Sequence, residues 1–210
     1  MAAHDVIIIG SGLAGLTAGL FSARQGLSTL VFELNIPGGH LISIEKIEDF
    51  PGFPDGVSGY EICPNLQRQA SDHGAEFQRA EVVRLEADDK LWSVVTDEET
   101  YQAKAVIVAT GSTLKHIGVP GEEKLLGRGV SHCASCDGPM YNEQTVGVVG
   151  GGDSALQEAL TLTNYAERVL LFNNGDNFSA QQTYLQWALD NPKITPRYQT
   201  VIEEVLGDEV

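Results

Sequence analysis

Apolar residues along this chain gather in short blocks separated by glycine-rich turns. The first block, "VIII" at residues 6–9, is β-branched and does not alternate with polar residues, the pattern of a strand buried on both faces. Residues 11–26 then space their apolar positions for a helix that Gly26 closes, and "LSTLVFE" at 27–33 reads as the next strand. Strand, glycine turn, helix and strand make a βαβ unit, and its parallel pairing implies a layered α/β sheet. Residues 34–59 are rich in proline and glycine and predict one long ordered loop, of a length usually kept for function. A helix is expected over 60–74, with Pro64 near its first turn. Residues 75–111 break into short strand-like runs between acidic turns and end in the buried run "AVIVATG".

The polar stretch that follows, "STLKHIGVPGEEKLLGRGV", carries enough glycine and proline to suggest a domain boundary near residue 115. Two domains, 1–115 and 116–210, are therefore expected. Beyond it, "TVGVVGGGDSALQEALTLTNYAERVLLF" repeats the opening order of strand, glycine turn, helix and strand, about 140 residues later. The final stretch, from Arg197 on, reads as a strand entering a hairpin.

Both glycine turns carry chemistry. Gly10, Gly12 and Gly15 form a GxGxxG set between strand and helix. Gly10 permits the tight turn, Gly12 lets a pyrophosphate approach the backbone, and Gly15 lets helix and sheet close up. The helix start offers free amides and a positive dipole end to phosphate. Glu33, 23 residues after Gly10, ends the second strand where a carboxylate can hold both ribose hydroxyls. The second turn has Gly150, Gly152 and Ala155, with Asp153 and Ser154 opening its helix. Its second strand ends in Phe172, Asn173 and Asn174, with neither the acid that suits NADH nor the arginines that suit NADPH. Asp176 reads as an ordinary turn aspartate. The fold class is thus α/β, with two Rossmann-like, three-layer nucleotide-binding domains.

Composition narrows the partners. Thirteen basic residues against 29 acidic ones leave a net charge of −16, which disfavours nucleic acid and anionic lipid. No run approaches the roughly 18 apolar residues of a membrane span. Three cysteines, an odd and small number, do not make a secreted disulfide framework, so a cytoplasmic protein is expected. Cys133 and Cys136 form a CxxC pair before Asp137. Zinc wants about four ligands, and only His132 stands nearby in sequence, so no metal is expected. In a reducing compartment a structural disulfide is a poor reading, and a redox pair whose thiolate is stabilised at a helix start fits better. Asp137 is a candidate proton carrier or a simple helix-capping residue. Cys63 reads as a small buried side chain.

Taken in order, "GSGLAG", "PGGHL", "IEDFPGFPDGVSG", "VIVATG", "GRGVSHCASCDG" and "VGVVGGGDSALQEAL" resemble the low-molecular-weight thioredoxin reductase family, the FAD-dependent pyridine nucleotide-disulfide oxidoreductases, from residue 5 onward. The resemblance implies a homodimeric enzyme passing electrons from NADPH through FAD and a CxxC to thioredoxin or a similar dithiol. It makes Cys136 the thiol facing the flavin, Cys133 the thiol that attacks the partner's disulfide, and Asp137 the proton donor and acceptor. It assigns Gly10, Gly12, Leu13, Ala14, Glu33, Gly38, Gly39, His40, Asp49, Val82, Thr110 and Gly111 to FAD. Gly150, Gly152, Asp153, Ser154 and Ala155 go to the pyridine nucleotide. His40 stands where the family usually has glutamine, and Asp49 where it often has asparagine.

Two departures bear on function. The family's His-Arg-Arg run is replaced by "FNNGDNFSA", which leaves NADPH, NADH or another donor open. The family's chain also returns to supply a glycine-aspartate flavin motif, absent here, so an incomplete FAD domain and a truncated chain are expected. The alternatives to a thioredoxin-reductase-like enzyme are a dithiol oxidase or reductase with a different donor, and a non-catalytic nucleotide-binding module.

Overall fold

The computed structural model describes residues 3–88 and 90–207. The chain divides into two compact units, Met1–Thr113 and Leu114–Val210.

The first unit is built on a six-stranded sheet of order β3-β2-β1-β6-β5-β4. Strand β1 (His4–Ile9) lies between β2 (Thr29–Glu33) and β6 (Thr100–Val108), parallel to both, and β3 (Glu76–Arg79) is parallel to β2. Strands β4 (Val82–Ala87) and β5 (Trp92–Thr96) extend the sheet as antiparallel hairpins onto β6. The central strand is buried on both faces, as its unalternating pattern requires. Ile7 packs with Leu30, Phe32, Val94 and Ala103 on one face, while Val6, Ile8 and Val31 meet Ala18 of α1 (Leu13–Arg24) on the other.

The long loop carries a 3-10 turn at Gly39–Ser43 and an isolated bridge, Ile47 to Val57. Helix α2 spans Gly59–Asp72, so Pro64 lies in its second turn rather than its first. Tertiary packing overrides the proline. Ile62 and Cys63 are buried against Leu16 of α1, and Gly59 fits so tightly that a Cβ there would stand 1.6 Å from the Leu41 carbonyl oxygen.

The second unit has a parallel sheet of order β7-β8-β9: Thr145–Val149, Arg168–Phe172 and Ile194–Arg197. Helices α4 (Asp153–Leu162) and α5 (Gln182–Asp190) link these strands. Their core is Leu156, Ala159, Val169, Leu171, Tyr184 and Ala188. Short helix α3 (Ala134–Asp137) and a 3-10 turn (Gly138–Tyr141) precede β7.

The strand expected from Arg197 onward ends there instead. Residues 201–207 have no regular structure, and the rest of that expectation lies outside the described residues. The segment is held by other contacts: the Val205 amide donates to the Pro120 carbonyl at 2.9 Å, and Gly121 admits the Val205 carbonyl where any Cβ would collide.

Candidate functional site: two glycine turns and a disulfide

Both turns are built alike. The Gly10 amide donates to the Phe32 carbonyl at 2.8 Å, and the Gly150 amide to the Phe172 carbonyl at 2.9 Å. Both glycines hold φ in the region closed to most side chains, +96° and +146°. The third positions differ. A Cβ at Gly15 would stand 1.9 Å from the Gly10 carbonyl oxygen, whereas the second turn accepts Ala155.

Around the first turn the structure brings most of the expected residues together. Gly12 caps the 12-residue α1 with no side-chain hydrogen bond, and nothing lies within 4 Å of where its Cβ would be. The helix's first amides therefore face open space that an anion could fill. Leu13 and the exposed Ala14 form the first helical positions. The Gly38 amide donates to the Ser11 carbonyl, and Gly39 lies beside Gly12. His40 reaches across through Nε2, 3.0 Å from the Ser112 carbonyl, and so ties the loop to the exposed Thr110 and Gly111.

Glu33 leans back into the turn. Its Oε2 accepts from the Ser11 amide at 2.9 Å and hydroxyl at 2.8 Å, and its Oε1 from the Asn35 amide at 3.0 Å. Burial works to raise its pKa, but these hydrogen bonds to the ionised form win and hold it below the usual carboxylate range. Val82 opens β4, two residues after Ala80, whose amide donates to the Glu33 carbonyl. Asp49 is exposed on the long loop near the Ile47–Val57 bridge, and no described contact joins it to the others.

The second turn is covered by its own loop. Asn173 is 5% exposed, and its side chain donates to the Asn177 carbonyl at 2.8 Å and accepts from the Gly175 amide. Its Oδ1 fills the space above Gly151, where a Cβ would come within 2.6 Å. The Ser179 amide also donates to the Gly151 carbonyl at 2.7 Å. Asp153 uses both carboxylate oxygens on Gln181, a clamp that holds its pKa low, while Ser154 is exposed beside it. Asp176 accepts from the Gln199 side chain. One cation does reach this end of the sheet. Arg197 closes β9 in register with Phe172, a neighbour that strand pairing creates and linear inspection missed.

Cys133 and Cys136 are joined as a disulfide, with Cα atoms 5.3 Å apart. Cys133 is the N-cap of α3, and its sulfur accepts from the Cys136 amide at 3.3 Å. Cys136 is exposed, Cys133 half-buried, and Asp137 ends the short helix half-buried. From behind, Glu158 of α4 accepts a hydrogen bond from the Ala134 amide, the first of α3. Burial pushes the Glu158 carboxyl up, and that amide only partly offsets it. Cys63 is buried against Gly38, and burial raises its thiol pKa.

The sequence reading overlooked a further cluster. His116, Glu122 and His132 present ligand atoms all within 4.8 Å of one another. They sit in an irregular segment with no regular ligand spacing, so no periodic signal pointed to them.

Two glycine turns of this build, with a CxxC between them in sequence, follow the plan of a flavoprotein disulfide reductase, and comparison with known proteins agrees. The family model described as pyridine nucleotide-disulphide oxidoreductase matches residues 4–210. The thioredoxin reductase of Mycolicibacterium smegmatis is 44% identical over 205 residues, which cover 98% of this chain and 66% of that protein. That of Treponema pallidum is 39% identical, covering 98% and 67%. The crystal structure of Lactococcus lactis thioredoxin reductase superposes with a TM-score of 0.90 at 36% identity, over 98% of this chain and 67% of that one. The chain belongs to the thioredoxin reductase branch of the pyridine nucleotide-disulphide oxidoreductase family. It spans about two thirds of the length of these relatives. Among the described residues, no helix is long and apolar enough to cross a membrane.

Proposed function

We propose that this protein is a flavin-dependent disulfide oxidoreductase that reduces a thioredoxin-like partner through Cys133 and Cys136. The observation that carries the reading is the half-exposed Cys133–Cys136 disulfide at the start of α3, in a chain with two dinucleotide turns. The names of the relatives support the choice of partner, including a bifunctional thioredoxin reductase/thioredoxin of Mycobacterium leprae, 46% identical over 192 residues, which cover 42% of that protein.

The first turn suits FAD. The uncapped helix start at Gly12, with Gly39 beside it, and the Glu33 carboxylate suit its pyrophosphate and ribose, and Gly38 packs the loop against Cys63. His40, Asp49, Val82, Thr110 and Gly111 complete the proposed set. When bound, the flavin supplies two-electron transfer between a reduced pyridine nucleotide and the disulfide. Two electrons and two protons convert the Cys133–Cys136 bond to two thiols, with Asp137 as proton carrier. The Cys133 thiolate then attacks the partner's disulfide and expels one of its sulfurs as a thiolate that takes up a proton. Cys136 attacks the mixed disulfide, reforms the intramolecular bond and releases the partner as a dithiol.

The test is the Cys133→Ser variant of the flavin-loaded protein. Flavin reduction by pyridine nucleotide should persist while turnover of a thioredoxin disulfide is lost. Turnover at the unmodified rate would refute the mechanism.

The donor is a separate question. No basic side chain lies between β8 and Lys193 in sequence, and Asn173 is turned inward, so discrimination for a 2′-phosphate is expected to be weak and to depend on Arg197. Rapid-mixing reduction with NADPH, NADH and ferredoxin in parallel decides this. A strong preference for NADPH that survives Arg197→Ala would refute it. A homodimer, which rests on the sequence resemblance, and a cytoplasmic location, which rests on the cysteine count, complete the proposal. Light scattering of the flavin-loaded protein tests the dimer.

A further inference from the structure

The cluster upstream of the disulfide has no part in that mechanism. Glu122 is the anchor: its side chain is 6% exposed, and its two oxygens accept from the amides of Ile117 at 3.0 Å and Gly118 at 2.7 Å. Those bonds fix the carboxylate and leave a lone pair on each oxygen for a further partner. His116 Nδ1 lies 3.5 Å from Glu122 Oε1, on a side chain that is 54% exposed. The ring of His132 meets that of His116 edge to face, with centroids 5.3 Å apart. His132 Nε2 is buried and has no hydrogen-bond partner.

A buried imidazole nitrogen without a partner is costly, because it has given up water for nothing. Two imidazoles and a buried carboxylate converging on one point would satisfy it with a cation. We propose that His116, Glu122 and His132 bind one divalent transition-metal ion of the zinc class, directly before the redox pair. The donor set selects that class. Imidazole nitrogen suits zinc, cobalt and nickel, whereas magnesium and calcium prefer all-oxygen shells. Three protein ligands leave one position of a tetrahedral ion for water. With metal–ligand bonds near 2.0–2.2 Å, tetrahedral ligand atoms stand roughly 3.3 Å apart, so the site must contract by about 1.5 Å at most. His116, more than half exposed, is free to swing toward the ion. Because His132 is bonded to Cys133, the ion would also pin the chain entering the disulfide.

The experiment uses tag-free, chelator-treated protein with the disulfide oxidised, so that Cys133 and Cys136 cannot bind the metal. Zn2+ is titrated by calorimetry and Co2+ by its visible absorption. One equivalent should bind, with tetrahedral cobalt bands. His116→Ala, a surface change that leaves the buried residues intact, and His132→Gln should each weaken binding by at least about tenfold. His73→Ala, in the first unit and paired with Arg24, should leave it unchanged. No saturable binding to the oxidised protein, or equal affinity in His116→Ala, would overturn the proposal. Neither result depends on electron transfer, so the redox reading stands or falls separately.

Discussion

Replacing Glu33 should destabilise the first unit in a pH-dependent way, whether or not flavin is ever bound. In Glu33→Ala the Ser11 amide and hydroxyl lose their acceptor, and Ser11 is fully buried. The exposed Asn35 amide can turn to water, so only the Ser11 pair counts. A hydrogen bond to a charged group is worth about 1.5–3 kcal/mol, and a buried donor left unpaired costs about 1–3 kcal/mol. Together these give a loss of about 3 kcal/mol. Glu33→Gln keeps one acceptor oxygen but not the charge, and should cost about half as much. The two tryptophans make the assay local, since Trp92 is on β5 of the first unit and Trp187 on α5 of the second. In a Trp187→Phe background, urea unfolding followed by Trp92 fluorescence reads the first unit alone. With a slope of about 2 kcal/mol per molar urea, the midpoint should fall by about 1.5 M in Glu33→Ala. Flavin must be removed first, because lost binding would otherwise count as lost stability. The sign with pH follows from the depressed pKa. The carboxylate contributes fully above the ordinary value near 4.3 and progressively less as pH falls through the folded value. The gap between wild type and Glu33→Gln should therefore close on acidification. A gap that stays constant down to about pH 3, or two variants with equal midpoints, would refute this account.

Glu158 should behave in the opposite sense. Its raised pKa means the folded state gains protons, so the second unit loses stability as pH rises from the ordinary carboxylate value through the raised one. Glu158→Gln should flatten that decline in Trp187 fluorescence with Trp92 replaced by Phe, and an unchanged slope would count against it. Gly15→Ala drives a Cβ into backbone and should cost at least about 3 kcal/mol, whereas Ala155→Gly should cost about 1 kcal/mol. Similar urea midpoint shifts in the two variants would contradict this difference. After reduction, iodoacetamide should label Cys133 and Cys136 in the native protein and reach Cys63 only on unfolding, as read by peptide mass.

Much of this architecture is local in origin, and so it was legible in the chain. A β-branched run followed by a glycine that must take positive φ specifies strand and tight turn within a few residues. Both βαβ units follow from that pattern, and the CxxC needs only its four-residue spacing. What required the tertiary structure are contacts that no local periodicity encodes. Pro64 enters the body of α2 because buried Ile62 and Cys63 and the close fit of Gly59 extend the helix before it. Residues 201–207 leave the strand pattern because Val205 finds a backbone partner at Pro120. Asn173, placed by sequence at a ribose position, is instead spent on its own loop, and Arg197 reaches the same edge only through the pairing of β8 with β9. His116, Glu122 and His132 meet across an irregular segment, where the chain's path and not its spacing sets distance. Sequence by itself determined most of the elements and the identity of the paired sulfurs, because steric and hydrophobic preferences act over a few residues. Only the packed fold decided which polar groups those elements leave paired, buried or free.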